Sequence, residues 1–146
     1  MAIATLHVTV VDPGVGSGTP EYGRGGWRYA ANEDCSSDNS VTQWPVIGLK
    51  ALESFVDKDG SGTYTPGDEG WGLFAPDWVK EELALWTNYS QYHSPDDFYD
   101  GAFIYSNDSL GYYTTPSCGS GICQLAYLGV SATDSRVQDA VNFLDR

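Results

Sequence analysis

Positive charge is the scarcest resource in this chain. Seven Lys and Arg face 20 Asp and Glu over 146 residues, for a formal net charge of −13. That balance argues against nucleic acid or an anionic membrane surface as partner, since both need basic patches. Long apolar runs are lacking too, and none approaches the roughly 18 residues that a membrane span requires. Ala2–Val11 is apolar but has neither a basic leading region nor a long apolar core, so it does not read as a signal peptide. Histidine occurs only at His7 and His93, and cysteine only at Cys35, Cys118 and Cys123. Cys118 and Cys123 do not form a CxxC pair and have no nearby histidine, which gives no support to a zinc site. Oxidation would pair two of the three. A Cys118–Cys123 bridge would close a small Gly-containing loop, and Cys35 with either partner stays open.

What is present is aromatic and glycine-rich: five Trp, ten Tyr, five Phe and 17 Gly. These cluster together instead of lying in low-complexity tracts, so the composition is that of a packed domain. The acidic surface suits cation binding or a salty or extracellular setting. Residues 3–11 alternate and are β-branched, which predicts a strand that must pair elsewhere in the chain or with a neighbouring molecule. Asp12-Pro13-Gly14 ends it, and residues 1–22 thus read as a strand and Gly-rich loop preceding a helical domain over 23–146.

Gly25-Gly26-Trp27-Arg28-Tyr29 presents large residues from a glycine turn, and Ser37-Asp38-Asn39-Ser40 precedes Gln43-Trp44-Pro45. Ser40 and Gln43 have capping-box spacing. Val41, Trp44, Gly48, Leu52 and Phe55 follow at three- and four-residue intervals, which predicts a helix over about 41–56 buried along that stripe. A second helix is expected from Pro76 through Trp78, Val79, Leu83 and Trp86 towards Tyr92. His93 would then be a favourable charge at its C-terminal end. Gly101–Tyr105 repeats the first turn, with Phe103 in the place of Trp27 and Tyr105 in that of Tyr29. A third helix is expected over about 117–129 with Ile122, Leu125, Ala126 and Leu128 inward. A fourth starts at Thr133 or Asp134, with Val137, Ala140, Val141 and Leu144 along its stripe.

Together these blocks resemble the α/α-toroid superfamily, the helical repeats of squalene cyclases and prenyltransferases. The likeness spans roughly 23–56 and 75–146, including Trp78-Val79-Lys80 and Gln124 through Arg136-Val137-Gln138. It implies a mainly α fold, a half-toroid of helical repeats, carrying the short N-terminal strand as an addition. It implies no activity by itself. The cyclases' DxDD acid is missing, because Asp57-Lys58-Asp59-Gly60 lacks the later acids and Asp96-Asp97-Phe98-Tyr99-Asp100 is spaced otherwise. The prenyltransferases' Asp/Cys/His zinc set has no counterpart close in sequence. Neither a nucleophile elbow nor a phosphate loop is found. Trp27, Tyr29, Trp44, Phe103 and Tyr105 could line an aromatic pocket for a terpenoid or a sugar, or simply form the repeat core.

The clearest chemistry lies in Asp57-Lys58-Asp59-Gly60-Ser61-Gly62-Thr63-Tyr64-Thr65-Pro66-Gly67-Asp68. It has the 12-residue calcium-loop spacing, with Asp57, Asp59 and Ser61 at positions 1, 3 and 5. Gly62 stands where the chain must turn, Thr63 can offer its carbonyl, Thr65 is at 9 and Asp68 at 12. Calcium takes six to eight oxygens, and alternate residues of a tight loop deliver them around one point. Asp in place of Glu at 12, Tyr64 at 8, and Pro66-Gly67 before the exit depart from the EF-hand pattern. The loop resembles dockerin-like loops in tolerating such changes. A solvated acidic turn is the competing reading. Asn107-Asp108-Ser109 and Asn88-Tyr89-Ser90 match the N-glycosylation triplet, the former in a loop and the latter in a helix.

The expectation from sequence is a non-enzymatic structural or interaction module, extracellular or at the cell surface, with calcium as cofactor. Its partner would be itself, as an oligomer or filament through residues 3–11, or another protein. The competing expectation is a fragment of a cyclase- or prenyltransferase-like enzyme, or a hydrophobic-ligand-binding domain, whose acid lies elsewhere.

Overall fold

The computed structural model describes residues 24–29, 37–107 and 109–146. The strand expected over 3–11, the rest of segment 1–22, and Cys35 lie outside the described residues. Within them the chain is mainly helical. Four helices, α1 (Asn39–Glu53), α2 (Asp77–Ser90), α3 (Thr115–Tyr127) and α4 (Ser135–Leu144), are accompanied by two short strands, β1 (Phe55–Val56) and β2 (Glu69–Gly70).

The helix ends follow local chemistry. α1 is capped by Asp38, not Ser40: the buried Asp38 carboxylate accepts from the backbone N–H of Ser40 at 2.6 Å and of Val41 at 3.3 Å. Gln43 Nε2 donates to the Ser40 carbonyl, so the expected reciprocal capping box does not form. Arg28 reaches the same Asp38 carboxylate at 3.0 Å, tying the first glycine turn to the cap. Thr114 caps α3 through the Ser117 N–H, and Asp134 caps α4 through the Arg136 N–H. α1 stops at Glu53 instead of running to 56, because Ser54 is extended and Phe55–Val56 leave the helix as β1.

The buried stripe of α1 is also rotated from the expected one. Val41 is buried, but Trp44 is 69 % exposed, while Asn39, Thr42, Val46 and Leu49 face the core. A purely hydrophobic count turns Asn39 and Thr42 outward. The tertiary fold turns them inward because it supplies hydrogen-bond partners. On α2, Val79, Leu83 and Trp86 are fully buried as expected, whereas Trp78 is half-exposed. On α3 Leu125 is buried but Ala126 is exposed, and the polar Gln124 takes an inward position. On α4 Val137 and Ala140 are buried, and Val141 and Leu144 are not.

The two glycine turns do the same work in both halves. Gly25 has φ 90°, and a Cβ there would lie 1.8 Å from the Glu82 carbonyl oxygen of α2. Gly101 has φ 84°, and its Cβ would lie 2.3 Å from the Asp139 carbonyl oxygen of α4. Only glycine allows both the conformation and the approach. Each turn then drives an aromatic ring inward, Trp27 into the cluster with Val46, Leu49, Leu83 and Trp86, and Phe103 into that with Cys118, Leu125, Val137 and Ala140.

Between the clusters runs a buried polar network centred on Asn39. Asn39 Nδ2 donates to the Ile104 carbonyl at 2.7 Å. Its Oδ1 accepts from Trp86 Nε1 at 3.0 Å and from Gln124 Nε2 at 2.6 Å. Ser120 Oγ donates to the Asn39 carbonyl at 2.6 Å. The network joins α1, α2 and α3 with every Asn39 side-chain atom satisfied, which makes a polar centre compatible with a packed core.

Candidate metal loop

β1 and β2 form an antiparallel ribbon with Phe55 opposite Gly70 and Val56 opposite Glu69. The ribbon closes the neck of a loop whose members are residues 57–68, and neither strand was expected from sequence. Two strand residues on each side suffice because they bracket a tightly wound turn. Gly60 and Gly62 have φ 71° and 75°, the left-handed conformation that glycine adopts freely. Tyr64 folds back over the neck, its ring edge-on to Phe55 at 5.7 Å, and Phe55 also meets Phe74 at 6.2 Å. Gly72 makes room for this, since a Cβ there would lie 2.1 Å from the Tyr64 ring. The unusual aromatic at loop position 8 is thereby an anchor.

Inside the loop the carboxylates converge. One oxygen each of Asp57, Asp59 and Asp68 lie within 4.8 Å of one another. Oxygens bound 2.3–2.6 Å from one calcium ion stand no more than about 5 Å apart, so the spacing fits a single hard cation. The carboxylates are held from behind by the backbone. Asp57 accepts from the N–H groups of Gly60 and Gly62, each at 2.7 Å. Asp68 accepts from the N–H groups of Lys58 at 2.8 Å and Thr65 at 2.7 Å. Thr65 Oγ1 lies 3.0 Å from Asp59 Oδ2 and 3.2 Å from Asp68 Oδ2, between the two acids. Ser61 Oγ donates to the Thr63 carbonyl at 2.8 Å, which directs that pair at each other.

These hydrogen bonds favour the charged forms of Asp59 and Asp68. Bonds from Ser61, through hydroxyl and N–H, and from the Thr65 hydroxyl hold the Asp59 carboxyl down to about 2. The Lys58 and Thr65 N–H groups lower that of Asp68, against smaller opposing pushes from desolvation and from Asp59. Negative charge gathered at this spacing is self-repelling, and a divalent cation is the simplest species to relieve that. The loop is solvent-exposed, with direct access for an ion.

The loop is fastened to the helices through Glu53, the last residue of α1. Its carboxylate accepts from the Ala75 N–H at 3.1 Å, Lys80 Nζ at 2.9 Å and Tyr127 OH at 2.7 Å. Burial pushes this carboxyl upward, and the bonds from Lys80, Tyr127 and Ala75 outweigh it, leaving a net lowering. α1, the start of α2 and the end of α3 thus meet at the root of the loop.

The other residues singled out from sequence are not brought together. Trp27 and Phe103 are buried in separate core clusters, while Tyr29 and Trp44 are 80 % and 69 % exposed. Tyr105 is half-buried and packs on Tyr112. Among the described residues two of the five aromatics thus lie in different core clusters and two on the surface. Cys118 and Cys123 are both free thiols, one buried and one exposed. Both sit within α3, where five residues turn the chain about 140° past a full circle and point the two side chains apart. The feasible loop bridge does not form because the loop is a helix. Asn88 is exposed on α2 and Asn107 half-buried. His93 lies beyond the end of α2, not at a helix terminus, with Nδ1 3.3 Å from Asp100 Oδ1.

Comparison with protein-family models, with curated proteins and with solved structures finds no match to this chain. The toroid reading therefore stands on the residue pattern alone.

Proposed function

We propose that residues 57–68 bind calcium through Asp57, Asp59 and Asp68, with Ser61, Thr63 and Thr65 completing the oxygen set. The observation that carries this is the convergence of the three carboxylates in a loop whose neck is paired as a ribbon. The ion would neutralise the loop's repulsion and lock α1, α2 and α3 at Glu53. The loop runs into a ribbon instead of a second helix, so calcium acts as a staple and not as a sensor.

On this reading the chain is a non-enzymatic, calcium-stabilised structural or interaction module, built as a half-toroid-like pair of helical repeats. An extracellular or cell-surface setting suits an exposed calcium loop and an acidic surface. Assembly with itself through residues 3–11 completes the proposal on the sequence pattern.

Titration calorimetry on the wild type and on Asp57→Ala/Asp59→Ala tests the loop. Heat in the first and none in the second supports it; a wild type without heat refutes it. At a calcium concentration 100 times the dissociation constant, stability should rise by about 2.7 kcal/mol. Light scattering with and without residues 1–12 tests assembly, and a monomer in both forms removes that part of the proposal.

A further inference from the structure

Far along the chain from the calcium loop, a second group of metal-competent side chains meets where α2 ends. His93, Asp100 and Asp139 each place a donor atom within 4.8 Å of the others. The fold brings them there for a stated reason. Gly101 presses on α4 at the Asp139 carbonyl, so Asp100, one residue earlier, lands beside Asp139. The turn between is locked by the Tyr92 N–H to the Ala102 carbonyl at 2.7 Å and the Gly101 N–H to the Tyr92 carbonyl at 2.9 Å. That returns Asp100 to His93, and Asp100 is further fixed by the Ser94 N–H at 2.8 Å.

The group opens into a cleft of about 240 Å³ lined by Asn88, Gln91, His93, Ser135, Arg136 and Asp139. Arg136 Nε donates to Gln91 Oε1 at 3.0 Å. Its Nη2 is fully buried and has no hydrogen-bond partner among the described residues. Arg136 thus places one guanidinium on the cleft wall. Asp100 and Asp139 outnumber Arg136, so the cleft carries net negative charge before any ion enters.

We propose that His93, Asp100 and Asp139 form a site for a first-row divalent transition metal, with zinc the best fit, separate from the calcium loop. One imidazole nitrogen with two carboxylates is the donor set of a zinc-type ion, whereas the all-oxygen loop at 57–68 suits calcium. Three protein ligands leave a fourth position facing the cleft. Water or a small carboxylate would fill that position. A plain His93–Asp100 ion pair uses only two of these groups, whereas Asp139 brings a third donor within 4.8 Å.

The test uses the full chain carrying Asp57→Ala/Asp59→Ala, so that the calcium loop does not contribute. Zinc is titrated calorimetrically, and cobalt(II) serves as a visible-band reporter. Histidine ring nitrogen shifts are followed by NMR, and circular dichroism checks that every variant is folded. The expected result is stoichiometric zinc binding that survives excess calcium and shifts the His93 ring but not that of His7. His93→Ala and Asp139→Asn should each weaken zinc by about 10-fold or more, while His7→Ala leaves it unchanged. An unshifted His93 ring, or undiminished affinity in folded His93→Ala, overturns the proposal.

Discussion

Replacing Asn39 by alanine should remove a large part of the fold's stability, although the residue is polar and a single side chain is lost. The Asn39 side chain serves three buried partners: the Ile104 carbonyl, the Trp86 indole N–H and the Gln124 amide. Gln124 Nε2 keeps Ser120 Oγ at 3.0 Å, so it loses only part of its bonding. The Ile104 carbonyl and the Trp86 N–H lose the bonds that Asn39 makes to them in fully or nearly fully buried surroundings. Each buried group left without a partner costs about 1–3 kcal/mol, so the substitution should cost about 2–6 kcal/mol before any cavity is counted. Domains of this size have about 5–15 kcal/mol in total. Urea unfolding followed by tryptophan fluorescence reads the loss. A double-mutant cycle with Trp86→Phe isolates the mechanism, since phenylalanine has no N–H to orphan. The double variant should be more stable than additivity implies, by about 1–2 kcal/mol. A loss below about 1 kcal/mol for Asn39→Ala, or strict additivity, would refute the claim that this network holds the three helices.

Three further expectations follow from particular groups. Gly101→Ala should destabilise by more than about 2 kcal/mol, because its Cβ would overlap the α4 backbone at a positive φ, and Gly129→Ala, with open space around it, should cost less; thermal melts compare them. Asp59 is held at about 2, below its ordinary 3.8, so its contribution is present above about pH 4 and lost as pH falls through about 2. A carboxyl carbon NMR titration of the metal-free protein that placed its midpoint near 3.8 would contradict this. Burial pushes the Cys118 thiol up to about 11, so in a Cys35→Ser background only the exposed Cys123 should react promptly with a thiol reagent at pH 8. Equal reaction at both would show that α3 is not packed as described.

Sequence reading went furthest where a local rule governs. Val79, Leu83 and Trp86 lie at helical spacing, and all three are buried on α2. The doubled glycine–aromatic turn was visible at Gly25 and Gly101, since a backbone that must press on a helix leaves a glycine in the chain. The spacing of Asp57, Asp59 and Asp68 likewise pointed to one spot, and the structure places them at one spot. Reading failed where distant partners decide. Trp44 looks like core by period, yet it is exposed, because Asn39 and Thr42 claim the inward face through bonds to residues 27, 86, 104 and 124.

Short-range pattern alone thus determined that the described chain is helical, where its glycine corners fall, and which acids share a loop. Those features depend on backbone conformation and on neighbours a few residues away. Tertiary structure alone decided the facing of α1, the ribbon at the loop's neck, and the meeting of His93, Asp100 and Asp139. Each of these depends on which remote group satisfies a buried donor or fills the space left by a missing Cβ, and no local spacing carries that information.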